Sequence, residues 1–117
     1  SGMFRAMQLA AATALEAEAD WYEGNNENYR NRRHLAGEIM KTLGCTYDEK
    51  QVGMFLWGKI PASCKDVEEL TEKVLHEARV FITPGFIFGS NGARYIRISL
   101  CCKDNKLAEA LERIKRI

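Results

Sequence analysis

Hydrophobic positions recur along this chain with two periods, and the changes of period mark its elements. From Met3 to about Ala17, Phe4, Met7, Ala11 and Leu15 fall at helical spacing among alanines. This predicts a helix whose small face suits close packing against another helix or domain. Asp20-Trp21-Tyr22-Glu23 has capping-box form and predicts the start of a long helix reaching about Leu43. Its apolar stripe is Tyr29, Ala36, Ile39, Met40 and Leu43, and Gly44 is a suitable stop. Val52 to Ile60 then alternates, with Phe55 and Trp57 on one face and Met54 and Leu56 on the other, ending at Pro61. Apolar groups on both faces predict a central strand, or one covered by a second domain, with the aromatics in the core.

Asp66-Val67-Glu68-Glu69 is a second capping-box sequence, and Val67, Leu70, Val74 and Ala78 give the buried side of a helix to about Ala78. Val80, Phe81 and Ile82 form a short β-prone run stopped by Pro84-Gly85. A loop with Phe86, Ile87 and Phe88 leads to the turn signal Asn91-Gly92. Tyr95 to Cys101 alternates again: Ile96, Ile98 and Leu100 face one way, Tyr95, Arg97, Ser99 and Cys101 the other. Asp104 is placed to cap a last helix with Leu107, Ala110, Leu111 and Ile114 on its apolar side. Strands without regular helical crossovers predict an α+β fold, a small and mainly antiparallel sheet with helices packed on one face.

Composition changes this picture little. A length of 117 residues fits one domain, and 46% hydrophobic with 28% charged residues is ordinary for a globular protein. Seventeen basic against sixteen acidic residues give no electrostatic case for nucleic acid or an anionic membrane. Arg30, Arg32, Arg33 and Lys41 make one side of the long helix basic, and read as a solvated face balanced by Glu23, Glu27 and Glu38. No apolar run approaches the ~20 residues of a spanning helix, and the start of the chain lacks the form of a secretory leader. Cys45, Cys64, Cys101 and Cys102 have no paired metal-ligand spacing, and His34 and His76 stand apart from them. Reduced, buried or half-buried thiols in a cytoplasmic protein, with no metal, are expected. Ser1-Gly2 is either native or an expression scar.

Arg97 is the candidate for chemistry. A charge in mid-strand, opposite the aliphatic face, fits a solvated sheet surface. It also fits a guanidinium held stiffly so that its planar fork meets a carboxylate bidentately.

The stretch around it carries a resemblance. Pro84-Gly85, Phe88-Gly89, Gly92 and Tyr95-Ile96-Arg97-Ile98-Ser99 resemble the C-terminal region of fold-type I, pyridoxal-phosphate-dependent aminotransferases of class I/II. Gly53 to Pro61 is similar to that family's glycine- and aromatic-bearing strand, where one of the aromatics would have the alternative of bordering the active-site cleft, and Ser1 to Leu15 to the passage from its large domain into its small one. The family's Schiff-base lysine motif has no counterpart here, since Ser63-Cys64-Lys65 has neither its spacing nor its context. The resemblance therefore implies a C-terminal small domain over 1–117, with 1–19 leading in from a large domain. It implies an intact parent that transfers an amino group between an amino acid and a 2-oxo acid, using pyridoxal 5'-phosphate, as a homodimer. Arg97 would be its ligand for the substrate α-carboxylate. The 117 residues alone are expected to be inactive and to hold no cofactor. The family often has glutamate after the loop glycine; here Ala93 and Arg94 follow Gly92. Arg94 is then either a solvated loop residue or a second positive charge for a substrate with another acidic group. A free-standing α+β module that binds a small molecule or a partner without catalysis is the alternative.

Overall fold

The computed structural model describes residues 2–117; Ser1 lies outside them. The elements run α1 (Arg5–Leu15), α2 (Ala19–Thr42), β1 (Phe55–Lys59), α3 (Val67–Lys73), β2 (Thr83–Pro84), β3 (Tyr95–Ser99) and α4 (Asp104–Ile114). The sheet is antiparallel in the order β1-β3-β2. The expected α+β class, with a small antiparallel sheet and helices on one face, is the class found.

Ile96, Ile98 and Leu100 point into one core with Leu56, closed by Ile39 and Met40 of α2, Val67 and Leu70 of α3, Val74 just after it, and Leu107, Leu111 and Ile114 of α4. These helix residues are the predicted stripes, which bury because each recurs once per turn on one side. Gly58 of β1 lets α2 come close, since a Cβ there would run into the Met40 sulfur. Gly44 ends α2 with φ +70°, a left-handed conformation that favours glycine.

Strand order corrects one expectation. β1 is an edge strand and β3 the central one. Phe55 and Trp57 are only half-buried and lie outside the core, while Leu56 is fully buried. The outer edge of β1 is closed at two places: Thr46 and Lys59 exchange backbone hydrogen bonds, and Gln51 donates Nε2–H to the Trp57 carbonyl at 2.8 Å and accepts the Trp57 N–H at 2.9 Å. Such cover suits an edge, whose backbone groups otherwise stay unpaired.

Val80 to Ile82 does not form the predicted strand. After α3 the chain widens into a π-helical turn, Val74–Ala78, and Arg79 turns it with φ 56°. The segment that reaches β3 is then Thr83–Pro84, paired with Arg97 and Ile96. Proline is tolerated because β2 is an edge strand. Ile82 is buried, whereas Phe81 is exposed.

The caps divide. Asp66 accepts the Glu69 N–H at 2.9 Å, as its sequence predicts, while the Glu69 carboxylate turns back to the Lys65 N–H. Asp20 and Asp104 instead sit in the first turns of α2 and α4, whose caps are Glu18 and Lys103 without side-chain cap bonds. Their negative charge still suits a helix N-terminus. Asp104 is used elsewhere: Arg32 Nε donates to it at 2.8 Å and Arg32 Nη1 to the Leu100 carbonyl, tying α2 to the start of α4. That hydrogen bond raises the Arg32 pKa.

Helix α1 buries none of its residues. Met3, Phe4, Met7, Leu9 and Leu15 are exposed, and the chain extends 50 × 34 × 25 Å with a radius of gyration of 17.2 Å. A compact chain of this length would have about 13 Å. The excess follows from α1 projecting, joined to α2 by the Tyr22 hydroxyl donating to the Ala14 carbonyl at 2.6 Å.

Candidate substrate-carboxylate site

The polar face of the sheet is where the predicted residue stands. Alternation puts Tyr95, Arg97 and Ser99 of β3 opposite the core, and the register sets Arg97 beside Trp57 of β1 and Thr83 of β2. Three neighbours on that face are aromatic. The Arg97 guanidinium carbon lies 4.0 Å from the Phe88 ring centre, 4.2 Å from that of Phe55 and 5.9 Å from that of Trp57. Phe88 and Trp57 meet edge to face, 5.5 Å apart.

These contacts have a chemical consequence. A guanidinium is held over ring faces by the ring quadrupoles while its N–H donors stay in its own plane. Among the described residues, Arg97 forms no ion pair and no side-chain hydrogen bond. The cation is thus oriented by packing alone, with its fork unspent. A carboxylate, planar and with two acceptor oxygens, is the group that complements it.

The loop supplies Phe88 through two short 3₁₀ turns, Gly85–Phe88 and Ser90–Gly92. Gly85 and Gly92 permit it by close approach. A Cβ on Gly92 would run into the Gly85 carbonyl, and one on Gly85 would stand 2.5 Å from the Gly92 oxygen and 2.6 Å from that of Tyr95. The Pro-Gly and later glycine of the sequence therefore hold one folded loop that delivers an aromatic ring to Arg97. Beside the ring lies a cleft of about 390 Å³ walled by Trp57, Phe88 and Tyr95.

Arg94 takes neither role expected of it. Its Nη1 donates to the carbonyls of Cys64 (2.9 Å) and Lys65 (2.7 Å), and its Nη2 to that of Pro61 (2.8 Å). It fastens the β1–α3 connection to the start of β3. The basic side of α2 is likewise rearranged. Arg30 pairs with Glu27 and Lys41 with Glu38 at the surface, but Arg32 and Arg33 turn inward.

The cysteines also differ from expectation. Cys45 is buried and Cys64 partly so, but Cys101 and Cys102 are both exposed, beyond the end of β3. All four are free thiols, and the described residues contain no cluster of three metal-ligating side chains. Burial pushes the Cys45 thiol up to about 11.

Alternation places Arg97 on this face, and the packed chain gives it an aromatic setting. Alternation reads Phe55 and Trp57 as core residues, while the resemblance leaves room for one of them at the cleft; the Gln51 bonds to the Trp57 backbone and the Arg94 bonds to carbonyls about thirty residues away leave no periodic signal. The group the resemblance implies, pyridoxal phosphate, requires an enclosed amine for a Schiff base and an anion cradle for its phosphate. The wall around Arg97 is aromatic, and the lysine on that face, Lys59, stands exposed at the end of β1. The residues present do not fit that group.

Comparison with known proteins gives the family and the fold. The family model described as aminotransferase class I and II matches residues 2–114. LL-diaminopimelate aminotransferase of Desulforudis audaxviator is 36% identical over 115 residues, covering 98% of this chain and 29% of the relative. Transaminase BacF of Bacillus subtilis is 32% identical, covering 99% and 29%. The solved apo-BacF structure superposes with a TM-score of 0.76 at 33% identity, over 98% of this chain and 30% of that one. An aromatic aminotransferase from Pyrococcus horikoshii gives 0.78 at 33% identity, over 93% and 30%. The chain spans about 30% of the length of these relatives. With the family model matching nearly its whole length and the small-domain fold in place, this chain belongs to the class I and II aminotransferases.

Proposed function

We propose that residues 1–117 are the C-terminal small domain of a pyridoxal-phosphate-dependent aminotransferase, and that Arg97 binds the α-carboxylate of its substrates. The observation that carries this reading is a guanidinium packed over Phe55 and Phe88 with no partner for its N–H donors among the described residues. An amino acid and a 2-oxo acid share the α-carboxylate and differ at the neighbouring carbon. One arginine therefore serves both directions of amino-group transfer. A bidentate contact also fixes where that carbon stands, which is what positioning contributes to rate. The cofactor would be held by the parent's other residues, and the exposed apolar side of α1 supports packing against further protein. The parent is proposed to act as a homodimer. The 117 residues alone are expected to catalyse nothing.

The test is Arg97→Lys in the full-length parent. Lysine keeps the charge and loses the fork. Charge-assisted hydrogen bonds contribute about 1.5–3 kcal/mol, so kcat/KM should fall roughly 10- to 100-fold for amino acid and oxo acid alike. The absorbance of the bound cofactor should not change. Unaltered steady-state kinetics in both directions would refute the assignment.

A further inference from the structure

A second cleft lies away from Arg97. It lies between the N-terminal half of α2 and the segment leading into β1, and holds about 460 Å³. That is the size of a small-metabolite site. It shares no residue with the aromatic cage. Its polar lining is Arg30, Arg33, Asn25, Asn26, Tyr29 and Gln51, and it contains no acidic residue.

Arg33 is the central observation. Its Nη2 donates to the Gly53 carbonyl at 2.7 Å, which draws the guanidinium inward. Its Nη1 is buried without a hydrogen-bond partner among the described residues. Among the described residues no carboxylate pairs with it, although Arg30, one turn earlier, has Glu27 and Arg32 has Asp104. A permanent cation in a part-buried place without a counter-charge raises the local potential, and a concave wall of low dielectric focuses it. Val52 and Met54 form the apolar side of the same cleft.

We propose that this cleft binds a small organic oxyanion, a carboxylate or phosphate carried on an apolar body. Arg33 supplies the charge, Arg30 a second guanidinium at the rim, and Asn25 and Asn26 further donors. Val52 and Met54 receive the apolar part. This site is separate from Arg97 and does not depend on the role given to that residue.

The experiment is a residue-resolved amide NMR titration of the 117-residue chain carrying Arg97→Lys, so that binding at the cage is not mistaken for this site. The probes are hexanoate, hexyl phosphate and hexanol at low salt. Saturable shifts at Tyr29, Arg33 and Gly53 with either anion, and none with hexanol, are expected. Arg33→Gln should weaken that binding at least about 10-fold, the effect of losing a charged hydrogen-bond donor. Arg30→Gln, at an exposed position that leaves the fold intact, should weaken it several-fold. Phosphate binding without carboxylate binding would place the ligand among phosphorylated metabolites, and the reverse among organic acids. No saturation by either anion up to about 20 mM, where binding is weaker than specific recognition requires, would overturn the proposal. So would an equal response to hexanol, or binding unchanged in both arginine variants.

Discussion

Replacing Arg94 tests whether that residue belongs to the fold or to the substrate. Its guanidinium makes three hydrogen bonds to the carbonyls of Pro61, Cys64 and Lys65, all between 2.7 and 2.9 Å. Two nitrogens are needed to reach the three oxygens, so a lysine ammonium cannot reproduce the set. Hydrogen bonds from a charged donor contribute about 1.5–3 kcal/mol each when buried. Arg94 is half-buried, and water will re-solvate part of what is lost. Arg94→Ala should then cost roughly 2–3 kcal/mol and Arg94→Lys roughly 1–2 kcal/mol. For a chain of this length that corresponds to a fall in Tm of about 8–15 °C for the alanine variant. Urea unfolding of the 117-residue chain, followed by tryptophan fluorescence and circular dichroism, measures it directly. The midpoint should fall while the slope stays constant, because the surface exposed on unfolding is the same. An alanine variant within about 0.5 kcal/mol of the parent chain, the range of ordinary surface substitutions, would refute the reasoning.

Other contacts in the fold give further expected outcomes. Gly92→Ala forces a Cβ against the Gly85 carbonyl; it should destabilise by about 2 kcal/mol or more and alter the near-ultraviolet dichroism of Trp57. Arg32→Gln removes a pair with Asp104 whose side chains are 21% and 45% exposed, so a small fall in the urea midpoint is expected. Thiol labelling at pH 8 should modify Cys101 and Cys102 at once and Cys45 only after unfolding. With the Cys45 pKa raised from 9.0 to about 11 in the folded chain, the unfolded chain loses this proton first. Stability is then full below about pH 9 and declines as pH rises towards 11, a loss that Cys45→Ala should abolish.

The sequence by itself determined the helices, the faces of the strands and the place of Arg97. These depend on periodicity, which is local: Val67, Leu70, Val74 and Ala78 bury together because a helix puts them on one side. The same alternation put Arg97 opposite Ile96 and Ile98, and the Asp66 cap was readable because its partner is three residues away. The tertiary structure alone decided what depends on distant neighbours. Strand order made β1 an edge and moved Phe55 and Trp57 from the expected core to the wall around Arg97. A widened turn after α3, ended by Arg79 in a left-handed conformation, moved the strand from Val80–Ile82 to Thr83–Pro84. Arginine showed the division most plainly. Arg30, Arg32, Arg33, Arg94 and Arg97 are identical in composition, but a long side chain with five donors takes its role from whichever acceptors the fold brings within reach. For Arg30 and Arg32 these are carboxylates, for Arg33 and Arg94 backbone carbonyls, and for Arg97 aromatic rings, its donors unpaired among the described residues. Periodicity places a residue on a face; only the packed chain determines what that face meets.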